Sequence, residues 1–281
     1  MPKSSLFDLI QSLSMSEKRF FKMFSNRYTR GYDNDYLKLF DLIDKMDEYD
    51  DKKIKKAQYI KNPSAEKNYL YSLILKSLNQ FHSQNTSKIK LYNHLISIEV
   101  LYQKGLYKQC FELIQKAKKL AIEKELFRQL LSLTEIEQEV YLKDLNYIRA
   151  VASMEGDNDI LSHINKIAEI NYLTTKGYNE NLSIGVARDE KQLSEFKKLI
   201  EDPVLTVKGG ISNKRSTLYQ MSLPMTYNMV AGETDSVISS CKKMIKHYEE
   251  NEFLIEFTSI GYVSSNFILG AAYRQSKQYK K

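Results

Sequence analysis

Apolar residues recur along this chain at spacings of three and four, and over no useful length do they alternate. Spacings of three and four put side chains on one face of a 3.6-residue helix, whereas a half-buried strand needs a period of two. The opening SSLFDLIQSL brings Leu6, Leu9, Ile10 and Leu13 together, and YLKLFDLIDKM does the same for Tyr36, Leu39, Phe40 and Ile43. Only 10 Gly and 4 Pro stand among 281 residues, so helices meet few forced stops and should be long. The expected fold class is all-α.

The pattern divides the chain into an N-terminal helical unit, residues 1–86, and a longer region, 87–281. In the first, Ser14 or Ser16 can cap a helix carrying Phe20, Phe21 and Phe24, and Asn34 or Asp35 can start the next. Pro63 and Ser64 then restart the chain. SAEKNYLYSLILKSLNQF is apolar on more than one side and should be central to its unit. The polar stretch HSQNTSK, 82–88, is the expected hinge. Beyond it, a helix breaks at Gly105, another follows, and further helices are expected near 126–143, 158–180, 189–201, 213–231, 234–250 and 253–275. Pro203 and VLTVKGGISNK mark a longer loop. Pro224, inside a helical pattern, should kink its helix or cost about 3 kcal/mol.

Charge is unevenly placed. The net +7 is concentrated in residues 1–90, with seventeen Lys and Arg against eleven Asp and Glu. Within them an acidic block, 31–51, precedes a basic one, 52–90. Blocks of this kind neutralise one another across a fold or form a basic patch for an anionic partner. Cys110 and Cys241 are far apart and inside helical patterns, which suits apolar packing in a reducing compartment rather than a disulfide framework. The N-terminus shows no secretory pattern, and the longest apolar run, Tyr69–Leu75, is too short to span a membrane. A cytoplasmic location with no membrane partner is expected.

Helix pairs in series are the mark of a solenoid, in which each pair hides its apolar face on its neighbours. LYQKGLYKQCFELIQKA resembles part of a tetratricopeptide (TPR) repeat: Leu101 fills the large site, Gly105 the turn, and Cys110 and Ala117 the small sites. A second copy, YNMVAGETDSVISSCKKM, has Gly232, Thr234, Val237 and Cys241 in place, with Met244 where a small residue is usual. In a third, LGAAYRQSKQY, Leu269-Gly270, Tyr273 and Tyr279 match, with Lys277 at the turn. Residues 126–212 do not align. LSMSEKRFFKMF, YLKLFDLID and KNYLYSLILKSL are similar to the N-terminal segments of a family of uncharacterised bacterial TPR-like proteins. The resemblance implies an α-α superhelix of antiparallel pairs following the N-terminal unit, and no activity. Its last repeat is incomplete, so a truncated repeat protein, or self-association through the exposed C-terminal repeat face, is expected.

Catalytic and metal chemistry are not expected. His82, His94, His163 and His247 stand apart from one another and from cysteine, and KGGISNK at 208–214 lacks the Walker spacing. No cofactor and no metal are implied. TPR-like stacking implies a concave groove lined by Tyr92, Leu95, Glu99, Tyr102 and Gln103, by Tyr219, Ser222, Thr226 and Met229, and by Phe267, Ala271 and Arg274. The Lys and Asn that grip a peptide carboxylate in some TPRs are replaced here. The leading expectation is therefore a non-enzymatic scaffold that binds a peptide or partner helix. The alternative is nucleic-acid binding: Ser64–Asn79 would serve as a recognition helix, with Lys52, Lys53, Lys55, Lys56, Lys61 and Lys67 near phosphates. Against it, that helix is strongly apolar, and no arginine lies between Arg30 and Arg128.

Overall fold

The computed structural model describes residues 4–28, 35–206 and 213–276, and the chain forms two compact units, Met1–Lys90 and Leu91–Lys281. Of the features read above, Arg30, Asn34, Gly209, Gly210, Lys277 and Tyr279 lie outside the described residues. Among those described, every regular element is a helix.

The first unit contains α1 (Ser5–Ser12), α2 (Met15–Tyr28), α3 (Asp35–Asp44), α4 (Asp51–Lys56) and α5 (Pro63–Phe81). Its core gathers Leu6 and Ile10, Phe21 and Phe24, Leu39, Phe40 and Ile43, and Leu70, Leu73 and Ile74. The four groups come from α1, α2, α3 and α5, and α5 packs against each of the other three. Capping fixes where these helices start. The Ser14 amide donates to the Glu17 carboxylate at 2.7 Å and the Glu17 amide donates back to the Ser14 hydroxyl at 3.3 Å, a capping box at the start of α2. Asp50 caps α4, while Asn62 caps α5 with Pro63 in its first turn.

The helix α6 (Ser87–Gln103) runs across the unit boundary, and the second unit continues with α7 (Tyr107–Glu123), α8 (Phe127–Lys143), α9 (Tyr147–Glu155) and α10 (Asp157–Ile184). It ends with α11 (Glu190–Ile200), α12 (Pro203–Thr206), α13 (Lys214–Val230), α14 (Thr234–Glu250) and α15 (Phe253–Gln275). Short turns reverse the chain after α6, α7, α8, α13 and α14, giving hairpins in series, a helical-repeat arrangement.

Four of those reversals are one and the same turn. After α6, Gly105 has φ 72°, the Leu106 amide reaches the Leu101 carbonyl at 3.0 Å, and the Gly105 amide reaches Tyr102 at 2.9 Å. This pair of bonds closing over a left-handed residue is a Schellman motif. It recurs after α7 at Glu125 (φ 52°), after α8 at Leu145 (φ 53°) and after α13 at Gly232 (φ 74°), each with the same two bonds. The residues at 105, 125 and 145 are evenly spaced, so the repeat runs on through a stretch where sequence alone shows none.

Close packing inside the hairpins follows from small side chains. Cys110, Ala117 and Ala121 are fully buried on α7, and the Cys110 thiol lies 3.6 Å from the Ile98 carbonyl of α6. Gly177 plays this part on α10, where an added Cβ would collide with Leu223 of α13 and crowd Phe196 of α11. The helix α13 runs through Pro224 without stopping. Pro224 lies on the exposed side of the helix, where its ring meets no tightly packed neighbour.

Candidate functional site

A cavity of about 630 Å³ opens among α10, α13, α14 and α15. The α10 wall is one face of a single helix, with Asn171, Thr175, Tyr178 and Asn181 at spacings of four, three and three. The opposite walls are mainly apolar, from Met225 and Met229 on α13 and Phe257, Ile260 and Ile268 on α15. Among the described residues, no Asp, Glu, Lys, Arg or His lines it.

Three tyrosines, Tyr178, Tyr219 and Tyr248, line this space, and two of them are held by hydroxyl partners. The Tyr178 hydroxyl is within hydrogen-bonding reach of the Ser222 and Thr226 hydroxyls of α13, and burial pushes its pKa up. Burial does the same to Tyr248, whose hydroxyl lies 3.2 Å from that of Thr258. Thr258 also donates to the Leu254 carbonyl at 3.0 Å, and its backbone (φ −138°, ψ 47°) kinks α15 at the cavity wall. One turn on, a side chain at Gly261 would run into the Tyr248 hydroxyl. The kink and the glycine together let α15 pass over Tyr248, and both phenols stay neutral near pH 7.

The sequence-predicted groove residues separate in the structure. Tyr219, Ser222 and Met229 line the cavity. Thr226 is fully buried behind it, with its hydroxyl donating to the Ser222 carbonyl at 2.9 Å. Tyr92, Glu99, Tyr102 and Gln103 lie on α6 and do not touch the cavity. There Tyr92 accepts from Gln129 at 3.1 Å, Gln103 donates to Glu99 at 2.8 Å, and Tyr102 bonds Glu139. Phe267, Ala271 and Arg274 are on the outer face of α15, and the cavity takes Gly261, Ser264, Ser265 and Ile268 of that helix instead. The whole α10 wall escaped sequence reading. Its signal was the run Asn171, Thr175, Tyr178 and Asn181 at helical spacing.

Two buried carboxylates also escaped it, and both serve the fold. Glu137 of α8 accepts from Lys118 at 2.8 Å, from Ser153 at 3.0 Å and from Gln115, tying α7 and α9 to α8. Glu125, in the turn after α7, accepts from the Lys214 and Arg215 amides at 2.6 and 3.0 Å. A carboxylate there satisfies free amides at the start of α13 and complements its dipole.

In the first unit the basic candidates divide as well. Asp51 takes Lys55 at 2.8 Å and Lys67 at 2.9 Å. Hydrogen bonds from Lys55, then Lys67 and Tyr49, hold its carboxyl far below the usual carboxylate range. Lys52, Lys53, Lys56 and Lys61 are exposed. The buried Leu70, Leu73 and Ile74 commit one face of α5 to the core. Among the described residues, no group of three or more His, Cys, Asp or Glu is placed to hold a metal, and no helix is long and apolar enough to cross a membrane.

Fold and cavity together define an all-α helical-repeat protein with a cavity among α10, α13, α14 and α15 whose described lining carries no charge. No family model, no curated protein and no solved structure matches the chain.

Proposed function

We propose that the protein is a non-enzymatic, TPR-like interaction scaffold, and that the cavity among α10, α13 and α15 receives an extended, uncharged peptide segment of a protein partner. The observation that carries this reading is the pairing of a charge-free apolar wall with amide side chains on α10. Asn171 and Asn181 each offer a donor and an acceptor, the same pair a peptide unit presents. They lie about 15 Å apart by helical rise, a span of four to five extended residues. A charged side chain entering this space would lose its hydration with no counter-charge to meet it. A cytoplasmic setting accords with two buried free thiols, Cys110 and Cys241.

The test is selection of a displayed random-peptide library on the full chain, repeated on a Thr175→Phe variant. Thr175 is exposed at the cavity wall, so the larger ring fills the site without entering the core. Selected peptides should carry an apolar anchor without charge, and they should lose at least about tenfold in affinity for the variant. Equal binding to both proteins, or selection of charged peptides alone, would count against the cavity.

A second reading, nucleic-acid binding by the first unit, draws on the exposed Lys52, Lys53, Lys56 and Lys61. It predicts affinity for duplex or single-stranded nucleic acid that falls steeply as salt rises.

A further inference from the structure

The outer face of α15 is the most exposed apolar surface among the large side chains of that helix: Ile260 is 82% exposed, Val263 65% and Phe267 77%. Ile260, Val263, Phe267, Gly270 and Arg274 succeed one another at spacings of four, three, four and three, counted back from Arg274, on the part of the helix beyond the Thr258 kink. Such alternation is the seam along which two helices pack knobs into holes. From Phe257 to Tyr273 the sequence has no Asp, Glu, Lys, Arg or His, in a chain that is 27% charged. Depletion of charge marks the centre of a protein interface.

We infer that this face pairs with the same face of a second copy of the chain, the two α15 helices running antiparallel about a twofold axis level with Ser265. The face is complementary to itself in that arrangement. Ile260 of each copy falls opposite Gly270 of the other, where a Cβ added to the glycine would meet nothing within 4 Å, so a side chain can come close to the backbone there. Val263 falls opposite Phe267. The two Arg274 side chains go to opposite ends, about 27 Å apart by helical rise, whereas parallel pairing would set them side by side. A protein of net charge +7 repels its own copies, and this face brings no like charges together at its centre.

The three large side chains present on the order of 400 Å² per copy, within the size range of the largest apolar patch on an ordinary monomer, a patch that is often functional. Doubled, that is roughly 800 Å², below the standard range for stable complexes. The dimer is therefore weak and concentration-dependent. Because the seam is apolar, added salt leaves it intact or strengthens it.

Sedimentation velocity of the full chain, from micromolar to sub-millimolar concentration, tests the inference. The wild-type sedimentation coefficient should rise toward that of a dimer. Phe267→Glu and Gly270→Glu should weaken association at least about tenfold. Ile260 stands at the edge that the seam shares with the cavity, but neither substituted position lines the cavity, so peptide binding at concentrations where the chain is monomeric should survive in both variants, and the two proposals fail separately. Gly270→Glu meets open space on a helix that favours Glu over Gly, so it folds even if Phe267→Glu does not. A wild-type protein that stays monomeric throughout, or a Gly270→Glu variant that associates like wild type, overturns the pairing.

Discussion

Leu145 occupies a backbone conformation that costs a branched side chain about 1–2 kcal/mol, and it does so while 73% exposed. Little packing offsets that cost. Leu145→Gly should therefore stabilise the protein by roughly 0.5–1 kcal/mol, once the extra freedom of glycine in the unfolded chain is discounted. A urea midpoint that falls would show that Leu145 contributes contacts outweighing its strain. This residue also explains why the repeat was only partly legible. Gly105 and Gly232 announce their turns, because glycine takes positive φ without strain. Glu125 and Leu145 make the same turn with residues that carry no such signal. Their bonds are between backbone atoms, and backbone bonds leave no trace in side-chain identity.

At the scale of elements, helix existence was legible almost everywhere and helix partnership was not. Periodicity reports which face of α10 is apolar, but not that Gly177 lets α13 come close enough to build a cavity between them. Nor does it show that Glu125 reaches α13 from the turn after α7. That contact joins parts of the chain nearly a hundred residues apart, and its carboxylate is almost fully buried. Glu125→Ala takes the acceptor from the Lys214 amide and leaves the Arg215 amide to Asn213 alone, and should cost about 2 kcal/mol, with Glu125→Gln losing less. Chemical unfolding monitored by circular dichroism measures both, and equal, negligible losses would mean that Asn213 alone holds that helix end. The cavity was half legible for a related reason. Tyr219, Ser222 and Met229 could be placed by analogy between repeats, while the α15 wall is displaced by the kink at Thr258, which no periodicity encodes.

Over the whole molecule, acid should act first on the N-terminal unit. Glu17 is held low chiefly by its bonds to Ser14, with His82 Nε2 2.6 Å away, and Asp51 is held low by Lys55 and Lys67. A carboxyl whose folded pKa is depressed contributes stability that is complete above its unfolded value, about 4, and is lost as pH falls toward the folded value. The urea midpoint of the full chain should therefore drop between about pH 5 and about pH 3, and an Asp51→Asn, Glu17→Gln double variant should show a shallower drop. Parallel curves for the two proteins would place the acid sensitivity elsewhere. The cavity gives the molecule one more property, an optical one. The chain has 20 Tyr and no Trp, and Tyr178, Tyr219 and Tyr248 stand at the cavity wall. A tryptophan carried in by a ligand would be the sole indole present, close to three phenols whose emission it absorbs. Occupancy would then register as tyrosine light lost and indole light gained, with no label on either molecule.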